Sequence, residues 1–184
     1  MTSDRIHDIS TGTHGKVFLI REAAEVDSGA IYRYKSRVFN ETEWLLQAWE
    51  DFETDPEREA FFIRRFESSP NSIMLVAFEE SQVIGTLTLL GGPYRRTQHV
   101  ASLGLGVVQD WWGHGVGKRL VELGLQWARS CPVISKVNLQ VYHTNSRAIA
   151  LYERFGFVQE GRLKNDVRLD DGTKVDLILM GLPL

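Results

Sequence analysis

Apolar and polar positions follow two different periods along the chain. Alternation, or a short apolar run between turn residues, predicts strands, whereas apolar residues spaced three or four apart predict helices. The predicted strands cover residues 16–23, 72–80, 82–92, 98–108 and 136–142, with a closing hairpin over 156–184. The predicted helices cover 36–52, 55–68, 115–130 and the segment from Asn145 to Gly156. This order predicts an α/β fold with a mixed, mostly antiparallel central sheet flanked by helices.

The predicted strand 98–108 has two unlike faces. One face carries apolar side chains and the other carries small residues, namely Ala101, Leu103, Leu105 and Val107 against Ser102, Gly104 and Gly106. The apolar face can pack on helices. A face of glycines leaves the backbone bare, which favours a bulge or the close approach of another group.

Composition narrows the class of protein. The chain has 184 residues, 43% of them hydrophobic, and no internal repeat, which predicts a single domain over 1–184. The formal net charge of -3 gives no sign of a nucleic-acid partner. No secretory signal and no run of about 20 apolar residues is present, so we expect no membrane span. The single cysteine, Cys131, is typical of a cytoplasmic protein, and no two histidines have metal-ligand spacing, so we expect no metal site.

The stretch "QDWWGHGVG" (109–117) places three alternating glycines before the predicted helix 115–130. A Walker phosphate loop requires glycine at position 112 and Ser or Thr at 119, where this chain has Trp112 and Arg119. A dinucleotide fingerprint requires G-x-G-x-x-G within a parallel unit, and the spacing here is G-x-G-x-G. Two interpretations remain. The turn binds an anion through the free N–H groups of the helix, or its glycines serve the backbone angles alone.

Two blocks, "LGVVQDWWGHGVGKRLVELGL" and "VNLQVYHTNSRAIALYERFGF" about 30 residues later, resemble the GNAT superfamily of acyl-CoA-dependent N-acetyltransferases. The likeness is greatest to the ribosomal-protein N-terminal acetyltransferases and their small-molecule-modifying relatives. It covers most of the chain, with an acyl-CoA-binding core at about 98–157. It implies the GNAT-type fold, acetyl-CoA as acyl donor, and a small amine, an amino acid or a protein N-terminus as acceptor. A non-catalytic acyl-CoA sensor with the same fold is the alternative.

The resemblance also implies where the cofactor binds. It places the pantetheine arm alongside the strand 103–108 and the pyrophosphate on the glycine turn. Trp112 occupies the position where the family has Arg or Gln, so the phosphates must rely on backbone amides, with Lys118 or Arg119 assisting. Trp112 itself either covers the cofactor or packs under the helix, and we favour packing. The implied cofactor-binding residues are Leu105, Val107, Val108, Trp112, Gly113, His114, Gly115, Val116, Gly117, Lys118 and Asn145.

In the implied reaction an amine attacks the acetyl thioester directly. A backbone N–H near Val107 would polarise the carbonyl, and Tyr152 would act as general acid toward the thiolate. A core tyrosine and a plain helix cap are the structural alternatives for Tyr152 and Asn145. Candidates for the base are His99, Glu41 or a chain of water molecules.

Two expectations concern the rest of the molecule. The loop 91–99 and the helix 36–52 should border the acceptor pocket. The apolar last strand, "VDLILMGL", could pair across a homodimer.

Overall fold

The computed structural model describes residues 6–46 and 55–184. Within these residues eight strands form one sheet in the order β1-β2-β3-β4-β5-β6-β8-β7. The strands are β1 (His7–Thr11), β2 (Val17–Glu22), β3 (Ile73–Glu79), β4 (Gln82–Gly91), β5 (Val100–Val107), β6 (Lys136–Tyr142), β7 (Val158–Arg168) and β8 (Lys174–Pro183). The helices are α1 (Ser28–Glu41), α2 (Pro56–Glu67), α3 (Val116–Ser130) and α4 (Ser146–Arg154). Neighbouring strands are antiparallel except β5 and β6, which confirms the predicted fold class.

Helices cover both faces of the sheet. Tyr34 of α1 lies on the face to which Gly106 of β5 belongs, because a Cβ on Gly106 would come within 2.5 Å of the tyrosine hydroxyl. The next side chain along β5, Val107, faces the opposite side, where α3 packs against β3, β4 and β5. The predicted alternation of the two faces of this strand is therefore confirmed.

The predicted helix 36–52 is wrong in its bounds. Helix α1 begins at Ser28 and ends at Glu41, Thr42 adopts an extended conformation, and residues 42–46 are not helical. Trp44 leaves the helical face and packs edge-on against Tyr142 at 6.3 Å between ring centroids. The contact of Trp44 with β6 thus prevails over the helical pattern of the local sequence. The rest of the predicted helix, residues 47–52, lies outside the described residues.

The start of α2 is as predicted, and one strand was missed. The Asp55 carboxylate caps α2 by accepting hydrogen bonds from the N–H groups of Glu57 and Arg58 at 2.9 and 2.8 Å. Strand β1 was not predicted from the sequence. It is short, largely polar and at the edge of the sheet, so it lacks an apolar run that would indicate it.

The last strand does not lie at the edge of the sheet. Strand β8 pairs with β6 on one side and with β7 on the other, so its backbone groups have partners along both edges. The expectation that this strand pairs across a homodimer is therefore wrong. The apolar character of β8 reflects its burial inside the sheet.

Strands β5 and β6 separate soon after they meet. Their pairing covers three positions and ends where Ser102 lies beside Asn138. Beyond that point β5 continues to Val107 and β6 to Tyr142, but the two strands no longer pair with each other. The result is a gap in the middle of the sheet that opens toward the C-terminal ends of both strands.

Candidate active site

The edge of β5 that borders the gap carries unpaired backbone groups. The N–H of Val108 bonds to the carbonyl of Ile84 in β4 at 3.0 Å, and backbone direction alternates along a strand. Leu105 and Val107 therefore direct their N–H and C=O groups into the gap. Val108 is buried and its amide is engaged with β4. Of these residues Leu105 can therefore pair with an extended chain through its N–H and C=O, and Val107 through its N–H, because the Val107 carbonyl already accepts a hydrogen bond from Trp112.

The glycine turn leads to an open helix N-terminus. Gly113 and Gly115 have φ angles of +79° and +88°, which an L side chain rarely adopts. Gly115 is the N-cap residue of α3, and no described side chain caps the helix. The N–H groups of Val116, Gly117 and Lys118 therefore lack intrahelical partners and form an anion-binding end. A positive φ explains why positions 113 and 115 carry glycine. It does not explain the glycine at position 117, because the φ of Gly117 is not positive.

The two cations of the first turn of α3 have different environments. Arg119 bonds to Asp8 of β1 at 2.5 Å and to Glu122 at 2.9 Å, and the hydrogen bond that the guanidinium donates to Asp8 raises the pKa of Arg119 further. Lys118 is exposed and forms no ion pair within the described residues. It lines a cavity of about 270 Å³ beside the glycine turn. Lys118 is therefore the side chain available to an anion, whereas Arg119 fastens α3 to the edge strand.

The loop between β1 and β2 supports the glycine turn. The Thr13 hydroxyl donates a hydrogen bond to the carbonyl of Gly113 at 2.7 Å, and the His114 ring nitrogen Nδ1 lies 3.1 Å from the carbonyl of Thr13. The N–H of His114 bonds to the carbonyl of Trp111 at 3.3 Å. His114 thus contacts protein groups through both its ring and its amide, and it braces the turn.

The two tryptophans have separate positions. Trp111 is buried beneath the turn and packs edge-on against Phe18 at 6.0 Å. Trp112 is half-buried at the mouth of the gap, where its Nε1 donates a hydrogen bond to the carbonyl of Val107 at 2.7 Å. The Arg147 guanidinium of α4 lies 4.4 Å from the centroid of the Trp112 ring. The packing role favoured for Trp112 therefore belongs to Trp111, and Trp112 spans the gap from β5 to α4.

Helix α4 follows β6, the strand on the other side of the gap. Tyr152 is buried with its ring 5.8 Å from that of Phe157, and burial raises the pKa of its phenol above the ordinary value of 10. The phenol is therefore fully protonated at neutral pH. The Asn145 carboxamide oxygen accepts a hydrogen bond from the N–H of Ala148 at 3.1 Å, which is the geometry of a helix cap.

The candidate bases lie at opposite ends of β5. His99 precedes the paired end of the strand and is exposed. A rise of about 3.3 Å per residue places it roughly 20 Å from Leu105. Glu41, at the end of α1, accepts a hydrogen bond from the N–H of Gln109 at 2.8 Å, directly beyond the other end of β5. The structure therefore brings Glu41 to the mouth of the gap and leaves His99 outside it, together with the exposed loop 91–99.

The bare face of β5 is partly covered from within the protein. The Tyr34 hydroxyl occupies the space above Gly106 and lies 3.4 Å from the Thr86 hydroxyl. This contact explains why Gly106 has no side chain. Toward the closed end of the gap the same face is uncovered, and Ser102 and Gly104 are exposed.

A cavity of about 430 Å³ lies at the mouth of the gap on the α1 side. Its lining includes Phe39, Glu41, Trp44, Trp112 and Asp170. The segment after residue 36, which we expected to border the acceptor pocket, lines this cavity as far as Trp44. Among residues 6–46 and 55–184 no cluster of His, Cys, Asp or Glu has the form of a metal site. No helix in the same ranges is long and apolar enough to cross a bilayer.

Comparisons with known proteins agree with this architecture. The model of the Acetyltransferase (GNAT) family matches residues 40–157. The L-amino acid N-acetyltransferase AaaT of Escherichia coli is 31% identical over 120 residues, 63% of this chain and 71% of the relative. The N-alpha-acetyltransferase MAK3 of Arabidopsis thaliana is 26% identical over 144 residues, 78% of this chain and 75% of the relative. A GNAT-family acetyltransferase from Streptococcus pneumoniae superimposes with a TM-score of 0.88 at 28% identity, covering 91% of this chain and 99% of the other.

The chain belongs to the Acetyltransferase (GNAT) family. The sequence-based recognition of this family and of an acetyltransferase as the enzyme class is confirmed.

Proposed function

We propose that this protein transfers the acetyl group of acetyl-CoA to a primary amine by direct attack, acting as one domain over residues 1–184. The observation that supports this most is the free backbone edge of β5, which ends at the uncapped N-terminus of α3. A pantetheine arm carries amide groups that pair with the edge at Leu105 and Val107, while its pyrophosphate binds the amides of Val116, Gly117 and Lys118. These two sites lie close together because one short turn joins the end of β5 to the start of α3.

The acyl transfer then uses groups on both sides of the gap. The amine nitrogen forms a bond to the thioester carbon, and an N–H of Leu105 or Val107 stabilises the carbonyl oxygen. The carbon–sulfur bond breaks with its electron pair on sulfur, and Tyr152 donates its proton to the thiolate. The surplus proton of the amine leaves through water toward Glu41. His99 lies roughly 20 Å from Leu105 by the rise of the strand, whereas Glu41 bonds to Gln109, four residues from Leu105, so Glu41 is the base that this proposal uses.

The acceptor is best sought among α-amines. A lysine-type amine with a pKa near 10.4 requires roughly 4–5 kcal/mol to lose its proton at neutral pH, whereas an α-amine near 8 requires about 1–1.5 kcal/mol. The names of the two relatives, one acting on L-amino acids and one an N-alpha-acetyltransferase, support the same choice. A free amino acid and a peptide N-terminus are both candidates.

Thiol release provides the test. The protein is incubated with acetyl-CoA and a panel of free L-amino acids, diamines and short peptides with free N-termini, and the released CoA is measured with a thiol reagent. We expect amine-dependent release that saturates in both substrates. Saturable acetyl-CoA binding without release across the panel would support a non-catalytic sensor. Competition by ATP or NAD in calorimetry would support a nucleotide site instead.

A further inference from the structure

Asn138 lies at the closed end of the gap, where β5 and β6 separate. It is in register with Ser102 in the last pair of the two strands, and residues in register on neighbouring strands share a face of the sheet. Ser102 and Gly106 lie on the α1 side, so Asn138 belongs to that side as well. The site is on β6, opposite the edge of β5 that the acyl donor is proposed to use.

The side chain of Asn138 has an unsatisfied acceptor. Its Oδ1 atom is buried and receives no hydrogen bond from any group in residues 6–46 and 55–184. A buried carbonyl without a donor is rare in native proteins and unfavourable, and one explanation is a donor from outside the chain, such as a water molecule or a ligand. Asn138 therefore points to a ligand that carries an N–H or O–H group.

The neighbouring charged groups do not supply this donor. Lys136, two residues earlier on the same face, is 2.7 Å from the Glu160 carboxylate, so its charge is already engaged. The Glu160 carboxylate covers Gly181 of β8, which is opposite Asn138 in the sheet. Because Lys136 and Glu160 form an ion pair, these two residues together bring no net charge to the surroundings of Asn138. A neutral donor suits such surroundings, and a neutral primary amine has this character.

The uncovered part of the sheet face on the α1 side also surrounds Asn138. Helix α3 covers the other face beside Leu105 and Val107, so a second substrate must approach from the α1 side. On that side Ser102, Gly104 and Gln140 are exposed around Asn138. An amine that attacks from this direction passes over the carboxamide of Asn138. Because the Oδ1 atom is buried, the carboxamide must turn toward this open face to accept a hydrogen bond from the amine.

We infer that Asn138 is an acceptor-binding residue, and this inference depends on the proposed acetyl transfer. Its Oδ1 accepts one N–H of the attacking primary amine. A neutral primary amine has two N–H bonds and one lone pair. The hydrogen bond to Asn138 therefore orients the nitrogen and leaves the lone pair directed at the thioester carbon.

Three variants test this role once the wild-type protein releases thiol. Asn138→Leu keeps the size of the side chain and removes the acceptor oxygen. Asn138→Asp keeps an acceptor oxygen in the same place. Gln159→Leu makes the same amide-to-leucine change at an exposed position of β7 and serves as the control.

We expect Asn138→Leu to raise the KM for the amine about tenfold or more and to leave the KM for acetyl-CoA within about twofold. Its unfolding midpoint should equal or exceed that of the wild type, because the removed oxygen has no partner in the protein. Asn138→Asp should restore the amine KM to within about threefold of the wild type, and Gln159→Leu should change neither constant.

Other results would overturn the assignment. An amine KM unchanged in Asn138→Leu, an equal rise in the acetyl-CoA KM, no recovery in Asn138→Asp, or a loss of folding in Asn138→Leu each contradicts it. A wild-type protein that releases no thiol with any amine would contradict the proposed function itself. A failure of the Asn138 assignment and a failure of the proposed function therefore give different results.

Discussion

The indole nitrogen of Trp112 donates a hydrogen bond to the carbonyl of Val107 across 2.7 Å. This bond joins the glycine turn to the last residue of the free β5 edge. It sets the spacing between the backbone groups proposed to bind pantetheine and the amides proposed to bind pyrophosphate. The residue that stands where the family has Arg or Gln thus acts on the backbone of the site.

Replacing Trp112 with Phe removes this hydrogen bond and retains an aromatic ring beneath Arg147. We expect a loss of about 1 kcal/mol in the free energy of unfolding, because a half-buried carbonyl loses its donor. The acetyl-CoA KM should rise by about threefold or more, with the amine KM unchanged. Denaturant unfolding and two-substrate kinetics provide the measurements. An acetyl-CoA KM below that of the wild type would instead show that the indole competes with the cofactor for Val107.

Alanine at Gly115 and at Gly117 should have opposite effects. Gly115 has a φ of +88°, so Gly115→Ala should destabilise the protein by about 1–2 kcal/mol and raise the acetyl-CoA KM by displacing the amides of the turn. Gly117→Ala is the matched control. Its Cβ would meet Leu105, Val107 and Leu151 at 3.7 to 3.9 Å, which is ordinary contact, and alanine favours the helix by roughly 0.5–1 kcal/mol. Equal acetyl-CoA KM values for the two variants would argue against anion binding at this turn.

Lys118 and Arg119 should also differ in effect. Lys118→Ala should weaken acetyl-CoA binding several-fold in calorimetry and leave the unfolding midpoint unchanged, because the side chain has no ion pair in the described structure. Arg119→Ala should lower the unfolding midpoint, because it removes bonds to Asp8 and Glu122. A larger loss of acetyl-CoA affinity in Arg119→Ala than in Lys118→Ala would reverse the assignment of the phosphate contact.

Tyr152→Phe tests the general acid. Without the phenol, the thiolate must leave unprotonated, and we expect the turnover number to fall by about 100-fold with little change in either KM. The core packing against Phe157 is retained in this variant, so folding should be preserved. A turnover number within about threefold of the wild type would show that Tyr152 is only a core residue.

Asp8 links pH to stability at the edge of the sheet. The hydrogen bond from Arg119 lowers the pKa of the Asp8 carboxyl in the folded protein below its ordinary value. A lowered pKa means that the ion pair stabilises the fold above about pH 4 and that this contribution disappears as the pH falls through the lowered value. Asp8→Asn should therefore be less stable than the wild type by about 0.5–1 kcal/mol at neutral pH. Unfolding curves measured from pH 7 to pH 2 should converge at the acidic end, and a constant difference would contradict the ion-pair explanation.

Local sequence determined most of the secondary structure and the identity of the family. Strand β6 and helices α2, α3 and α4 have clear periods, and α2 has its own cap at Asp55, so neighbouring residues are enough to predict them. The glycine turn and the block around Asn145 are likewise contiguous motifs. The end of α1 was not predictable in this way, because Trp44 packs on Tyr142, which is nearly 100 residues away in the chain.

Only the tertiary structure decided how the site is assembled. The pairing of β5 with β4 and its early separation from β6 decide which backbone groups of β5 are free. Neither of these two features leaves a local pattern in the sequence. The sequence alone did not distinguish Lys118 from Arg119, since the difference comes from Asp8 on a strand at the far edge of the sheet. The unpaired oxygen of Asn138 and the cover of Tyr34 over Gly106 arise in the same way. Each depends on which distant groups the fold brings into contact, and an amino-acid sequence states only which residues are neighbours along the chain.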